Sequence, residues 1–485
     1  MMAPSGKPLR PSLSTTFEPS SSPTASRPAS SGKLLQVLGM WFGIAAAIGN
    51  TIAAGIVRSP GDIAQWLPNI YYFLGVWIFG GMYALIGASS MAELAAAIPL
   101  SGGQYNFSRR GLGEYAGFVV GWSDWLSTCG TAAAVAIVIA EYTSAFLPFL
   151  NEKTTLLGRE LTFQQIAAVL VILAFFLLQW RGIKWGSNTQ LFTSVLKTGA
   201  FVVVVIACFL FGGHARTAAP STAVLSLKSG WPLVASFMLA LQAVLYAVDG
   251  WDGVVYFGEE VRNPGREIPR AIFGSVFSIM GIYLLLNLAV LYVLPMNQIA
   301  GNNFVLGTAA ERVFGTYGDT VIRAIMIISL LSCLNANQLF CSRTLYKMSY
   351  DRLFFRAASR VNQGGTPVLA LLLSTIVGII FVVGGFERVV AMLSFFFVAN
   401  YTLSYSSMFM LRKREPDMPR PYRAWGYPWT TGVALLASAI FLIASLLEDR
   451  KNAPIALVIL LLSYPVFRVL KLVSRQSDST ATPAS

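Results

Sequence analysis

Charge is scarce in this chain. Only 12% of its 485 residues are Asp, Glu, Lys or Arg, against 55% hydrophobic. A water-soluble protein of this length carries about twice that charged fraction, so a soluble multidomain enzyme is excluded. Histidine is almost missing: His214 stands alone at the edge of an apolar run. A histidine-based metal centre and a Ser-His-Asp triad both want more than one unpartnered imidazole can supply. Cysteine is sparse too. Cys129, Cys208, Cys333 and Cys341 lie in or beside apolar runs, without CxxC spacing, as buried thiols do. No nucleophile–base pair, metal cluster or cofactor motif stands out, so the expectation is no enzyme, no catalytic residue, no metal and no cofactor. The net charge of +13 sits in loops and tails between apolar runs, which argues against nucleic acid as a partner.

What the chain does have is apolar runs of about twenty residues from end to end, the length a transmembrane helix needs. About twelve spans are expected, near 37–57, 70–97, 113–147, 163–181, 190–213, 231–258, 271–294, 319–345, 367–384, 387–411, 429–447 and 453–471. The fold class is therefore an all-α polytopic membrane protein, with the lipid bilayer as its surroundings. Residues 1–32 are rich in Ser, Pro and Thr and form a disordered cytoplasmic tail; no apolar signal region follows the start. Lys and Arg set the orientation. Arg109 and Arg110, Arg181 and Lys184, Arg262, Arg266 and Arg270, and the clusters 343–360 and 412–423 all fall on one side. That side is cytoplasmic by the positive-inside rule, and both termini with it; the membrane is expected to be the cell membrane.

One span carries acid. An apolar run from Trp231 breaks at Asp249-Gly250-Trp251-Asp252-Gly253. Each charge at bilayer depth costs roughly 2.5–3.5 kcal/mol on insertion scales, while an apolar neighbour returns a few tenths. Asp249 and Asp252 must therefore face a cavity or stay protonated. The glycines let the helix unwind, which is tolerated only where backbone lines protein or water. The alternative is a kink with its acids paired to neighbouring helices. The first span repeats the theme with small and polar residues at Ile48-Gly49-Asn50-Thr51-Ile52-Ala53-Ala54-Gly55. Interrupted segments at matching positions of two halves point to an inverted-repeat transporter site; simple small-residue packing is the competing explanation for span one alone.

Other intramembrane polar groups are less decisive. Lys197 lies roughly 10 Å inside the cytoplasmic end of span five, at 1.5 Å per residue. It either snorkels to the interface or sits between helices as a fixed or titratable cation. Asp124 is deep enough to need a partner, which the sequence does not name. Glu141 is expected at the interface. Glu93 closes span two before the turn Pro99 to Tyr105, as a gate latch or a solvated helix end. Asn335, Asn337, Asn400, Tyr401 and Tyr405 are expected to pack between helices. The mixed charges of 259–270 are expected to form a cytoplasmic ion-pair network.

Several motifs together resemble the amino acid–polyamine–organocation superfamily, and within it the L-type amino acid transporter-like permeases. They are Tyr246 to Asp252 with Glu259-Glu260-Val261-Arg262-Asn263-Pro264 and Ile268-Pro269, then Pro99 to Tyr105, Ser342-Arg343 through Tyr346, and Gly365-Thr366-Pro367. The resemblance implies a five-plus-five inverted repeat (33–213 and 231–411), helices 11 and 12 over 412–471, a cytoplasmic tail over 472–485, broken helices 1 and 6, and alternating access. It implies that the substrate carboxylate meets the backbone at Ala53, Ala54 and Gly55. The amine would lie near Ile48, Tyr246 and Asp249, with Gly250, Trp251 and Asp252 lining the pocket and Tyr246 as aromatic gate. Lys197 matches a lysine that stands in for the sodium ion of sodium-coupled relatives. Two departures stand out. The family's Gly-Ser-Gly break is Ala53-Ala54-Gly55 here, which narrows the cradle. The loop 151–165 has no cysteine, so no disulfide-linked glycoprotein partner is expected.

The resulting expectation is an amino acid permease, sodium-independent, coupled to protons or exchanging one amino acid for another. The acids favour cationic substrates such as arginine, lysine or polyamines if ionised, and neutral amino acids if protonated. The alternatives are a polyamine transporter on the same fold and a membrane receptor that binds amino acid without cycling.

Overall fold

A computed structural model describes residues 34–156, 159–217, 227–384, 386–448 and 453–479. The expected N-terminal tail lies outside them, as does the side chain of His214. The first half runs α1 (Met40–Thr51), α2 (Ala54–Trp66), α3 (Ile70–Ala97), α4 (Tyr105–Leu112), α5 (Glu114–Ser144), α6 (Phe163–Trp180) and α7 (Ile183–Thr217). The second runs α8 (Trp231–Val248), α9 (Pro264–Val293), α10 (Met296–Ile299), α11 (Val305–Phe314), α12 (Gly318–Tyr350), α13 (Val368–Gly384) and α14 (Phe386–Arg414). Two more, α15 (Trp429–Glu448) and α16 (Ala453–Ser479), follow. A small hairpin, β1 (Lys153–Leu156) with β2 (Arg159–Thr162), joins α5 to α6.

Among the described residues, eight helices are long and apolar enough to cross a membrane, and the bent α1–α2 pair makes a ninth. All twelve expected segments fall on helices, so the chain is an all-α polytopic membrane protein. Spans five and seven begin seven residues earlier than expected, at Ile183 and Pro264, and two boundaries at the breaks differ as well. Span one continues to Trp66, because α2 carries Arg58, Pro60 and Asp62, which lower its hydropathy while Arg58 and Asp62 pair one turn apart. Span six stops being helical after Val248 and continues as irregular backbone with one short 3-10 turn at Gly253–Tyr256.

Helix ends are set by local chemistry. Asn69 accepts from the backbone of Tyr71 and Tyr72 and starts α3. Thr162 and Gln165 form a reciprocal capping box at α6. Pro264 opens α9, where a missing N–H costs nothing. The core is built by α5 against α12, with α1, α7 and α9 around them. Phe192, Val203, Leu210, Leu436, Ile443 and Leu461 are exposed on the outer helices, as a lipid-facing surface requires.

The end of the bundle that holds the loops after α3, span six and α12 is sewn together by charge. Arg343 of α12 and Glu260 form a two-toothed pair at 3.0 and 3.2 Å, with both side chains fully buried. Lys347 reaches Glu259 and Asp351, and Arg109 reaches Asp351 at 2.8 Å. The expected network after span six thus exists, but its cations come from α4 and α12. Arg262 of the loop and Arg266 and Arg270 of the first turns of α9 are exposed. Glu93 is no solvated helix end: it is buried and takes both Arg412 nitrogens at 2.8 and 2.6 Å, Arg420 at 3.2 Å and the Ala424 N–H at 2.6 Å. The segment before α1 joins the same seam. Leu38 donates to Glu260 O and accepts from Arg262 N, a one-residue parallel bridge.

Removing one partner of a buried pair leaves an uncompensated charge and costs about 3–5 kcal/mol. Arg343→Met is therefore expected to lower the melting temperature of the detergent-purified protein clearly. Adding Glu260→Gln should restore most of it. An unchanged melting temperature in the single variant would contradict the pair's structural role.

Candidate functional site

The site starts at the break in span one. The last turn of α1 leaves carbonyls without helical partners, as every helix end does. In a bilayer they need partners inside the protein. Lys197 of α7 donates its ammonium to Gly49 O at 3.0 Å and Ile52 O at 2.8 Å. Ser329 of α12 adds a bond to Ile52 O at 2.6 Å, and the Cys333 thiol donates to Asn50 O at 3.2 Å. Lys197 is fully buried, so it does not snorkel. Past Ile52, the chain turns by 51° into α2.

Span six breaks beside it. Gly250 has φ +100°, a conformation glycine adopts freely, and a Cβ there would stand 2.3 Å from Asn50 Nδ2. Gly55 of α2 lies so close to α8 that a Cβ would stand 3.1 Å from Ala247 Cα. Tyr283 of α9, fully buried, ties the two breaks together. Its hydroxyl stands 2.9 Å from both Thr51 O and Ala247 O and has one proton to share between them.

Between the breaks lies a cavity of about 100 Å3. Three carboxylates line it: Asp124, Asp249 and Asp252. Asp124 of α5, buried, accepts from Tyr256 OH at 2.7 Å and Thr344 Oγ1 at 3.0 Å. Asp252, also buried, accepts from Gln104 Nε2 at 2.9 Å, and Ser404 Oγ donates to the other end of that amide. Asp249 accepts from Tyr401 OH at 3.0 Å. Among the described residues, no Lys, Arg or His lines the cavity. Three ionised carboxylates at this depth would cost about 8–10 kcal/mol on insertion scales. Four hydrogen bonds to charged groups return about 6–12 kcal/mol. The two are comparable, so hydrogen bonds from neutral donors are enough to hold these acids ionised.

The structure gathers most of the expected site residues and separates others. Ala53, Gly55, Tyr246, Asp249, Gly250 and Asp252 line the cavity. Ala54 is the first residue of α2; its side chain lies outside the described residues. Ile48 does not line the cavity: its carbonyl accepts from Ile52 N at 3.1 Å inside the helix. Trp251 is buried and faces an adjacent apolar pocket, stacked on Tyr401, which in turn stacks on Tyr405. Lys197 stands behind α1 rather than in the cavity. Sequence reasoning singled out Asp124 without its partners. It missed Gln104, Tyr256 and the cavity-facing role of Asn337, which donates to Asn50 Oδ1 at 2.8 Å. Asn335 packs as expected, among Gln179, Gln190 and Gly186. Glu141 is exposed near the end of α5.

Two discontinuous membrane helices that pass each other around a cavity lined by three carboxylates define a class, that of helical membrane transporters. The chain belongs to the amino acid permease family, whose profile matches residues 33–464. It is 27% identical over 445 residues to the serine/threonine exchanger SteT of Bacillus subtilis (strain 168), covering 90% of this chain and 97% of that one. It is 26% identical over 453 residues to the human Asc-type amino acid transporter 1, covering 90% and 82%. The human cystine/glutamate transporter is 27% identical over 431 residues, covering 88% and 83%.

Hydrogen bonds to charged groups are worth about 1.5–3 kcal/mol each, and Lys197 makes two at the span-one break. Lys197→Ala is expected to cut transport at least a hundredfold while the protein still reaches the membrane in normal amounts. Wild-type rates in that variant would show that the ammonium does not hold the break.

Proposed function

We propose that the chain moves amino acids across the membrane by alternating access, without sodium, exchanging one amino acid for another. The observation that carries this is the Lys197 ammonium between Gly49 O and Ile52 O. A fixed cation on these carbonyls occupies the position a coupling ion would otherwise take, so the bent helix is complete without sodium. Exchange over proton coupling is supported by the serine/threonine exchanger among the relatives.

The two breaks give the substrate its poles. The first N–H groups of α2 carry the positive end of a helix and have no side-chain cap, which suits a carboxylate. The amine lies toward the carbonyl end of α8 and Asp249, with Tyr246 closing over it as a gate. The repeat units are 33–213 and 231–411, related as inverted halves, and both termini are cytoplasmic. The ion pairs of Glu93, Glu260 and Asp351 then form the inner gate. The protein works without a disulfide-linked partner, since the loop 151–165 offers no cysteine.

The test is uptake of labelled amino acids into proteoliposomes preloaded with a mixed amino acid pool, in sodium-free buffer with no ion gradient. Uptake that depends on the preloaded pool is expected. Uptake only when an inward pH gradient is imposed would replace exchange by proton coupling. Uptake only with sodium would overturn the role given to Lys197.

A further inference from the structure

Resting on the amino acid reading above, we infer that Asp124 and Asp252 receive a second positive charge, so that the substrate is an α-amino acid with a cationic side chain. The poles of the two breaks account for one carboxylate and one ammonium. Asp249 lies at the span-six break and serves that ammonium. Two carboxylates are left over. Asp252 follows one turn later on the unwound segment, and Asp124 comes from α5 on another wall. A carboxylate offers about four lone-pair positions, and the bonds from Tyr256, Thr344 and Gln104 leave acceptor capacity on both acids. With no basic residue among the described residues of the lining, the charge that complements the ionised acids comes with the ligand.

A second observation points the same way. Asn400 of α14 is buried and lines the cavity, with its Nδ2 unpartnered. Its Oδ1 lies 2.7 Å from Ser123 Oγ, next to Asp124, but that hydroxyl also donates to Val119 O at 2.8 Å. One proton does not serve both. With the amide turned over, Nδ2 donates to Ser123, and the buried atom left without a partner becomes an acceptor instead of a donor. Thr51 Oγ1, buried and unpartnered at the other end, is a donor for the substrate carboxylate. Acceptors thus gather at the α5 wall and donors at the α2 end, the pattern of a dibasic amino acid lying between them.

The preloaded proteoliposomes decide this. Labelled arginine, lysine, ornithine and leucine are offered, and unlabelled arginine and citrulline compete against labelled arginine. Citrulline keeps arginine's shape without its charge. Uptake of the cationic amino acids is expected to exceed that of leucine at least tenfold, with citrulline competing at least tenfold more weakly than arginine. Asp124→Asn, which keeps an oxygen for Tyr256 or Thr344, should lower the arginine-to-leucine ratio at least tenfold through the arginine KM. Equal competition by citrulline and arginine, or preference for leucine, overturns the inference and leaves amino acid transport standing. Failure of every amino acid to be taken up or to compete overturns both.

Discussion

Everything in this structure follows from two helices that stop inside the membrane. A bilayer offers no water to freed N–H and C=O groups, so each must find a partner within the protein. Here the partners are side chains from three other helices. Lys197 of α7, Ser329 and Cys333 of α12 and Tyr283 of α9 all converge on the carbonyls of α1 or α8. Those helices therefore form the core, and the polar side chains that looked out of place in apolar runs are the ones that make the breaks possible.

Charge divides between two regions with opposite logic. At one end of the bundle the acids have cations: buried Glu93 has Arg412 and Arg420, buried Glu260 has Arg343, and partly buried Asp351 has Arg109 and Lys347. These contacts join α3 to α14 and α12 to the end of span six, so they must rearrange if that end opens. In the cavity the acids have only neutral donors. The first arrangement is self-contained and suits a gate. The second is incomplete without a ligand and suits a site.

Much of this was legible from residue types. Apolar length gave the helices, and the carboxylates and glycines of 249–253 gave the break. What stayed hidden was pairing over long sequence distances. Asp124 meets Tyr256 and Thr344, 132 and 220 residues away. Lys197 meets α1, about 150 residues back, and from its position alone the side chain could equally have reached the interface. Glu93 finds its arginines more than 300 residues later. The carbonyl of Ile48 was expected near the substrate amine, yet the helix runs one more bond before it breaks. Periodicity and hydropathy describe single segments, and none of these contacts belongs to one.

The central claim, that the space between the two breaks is where an amino acid binds, can be tested directly. Thr131 of α5 lines the cavity and is half-buried. With Thr131→Cys, the rate of modification by a small, membrane-impermeant thiol reagent is followed by mass spectrometry, with and without a transported amino acid. The expected result is modification that slows at least several-fold as the amino acid saturates. An amino acid that saturates transport yet leaves the rate unchanged would place the binding site elsewhere and contradict the claim.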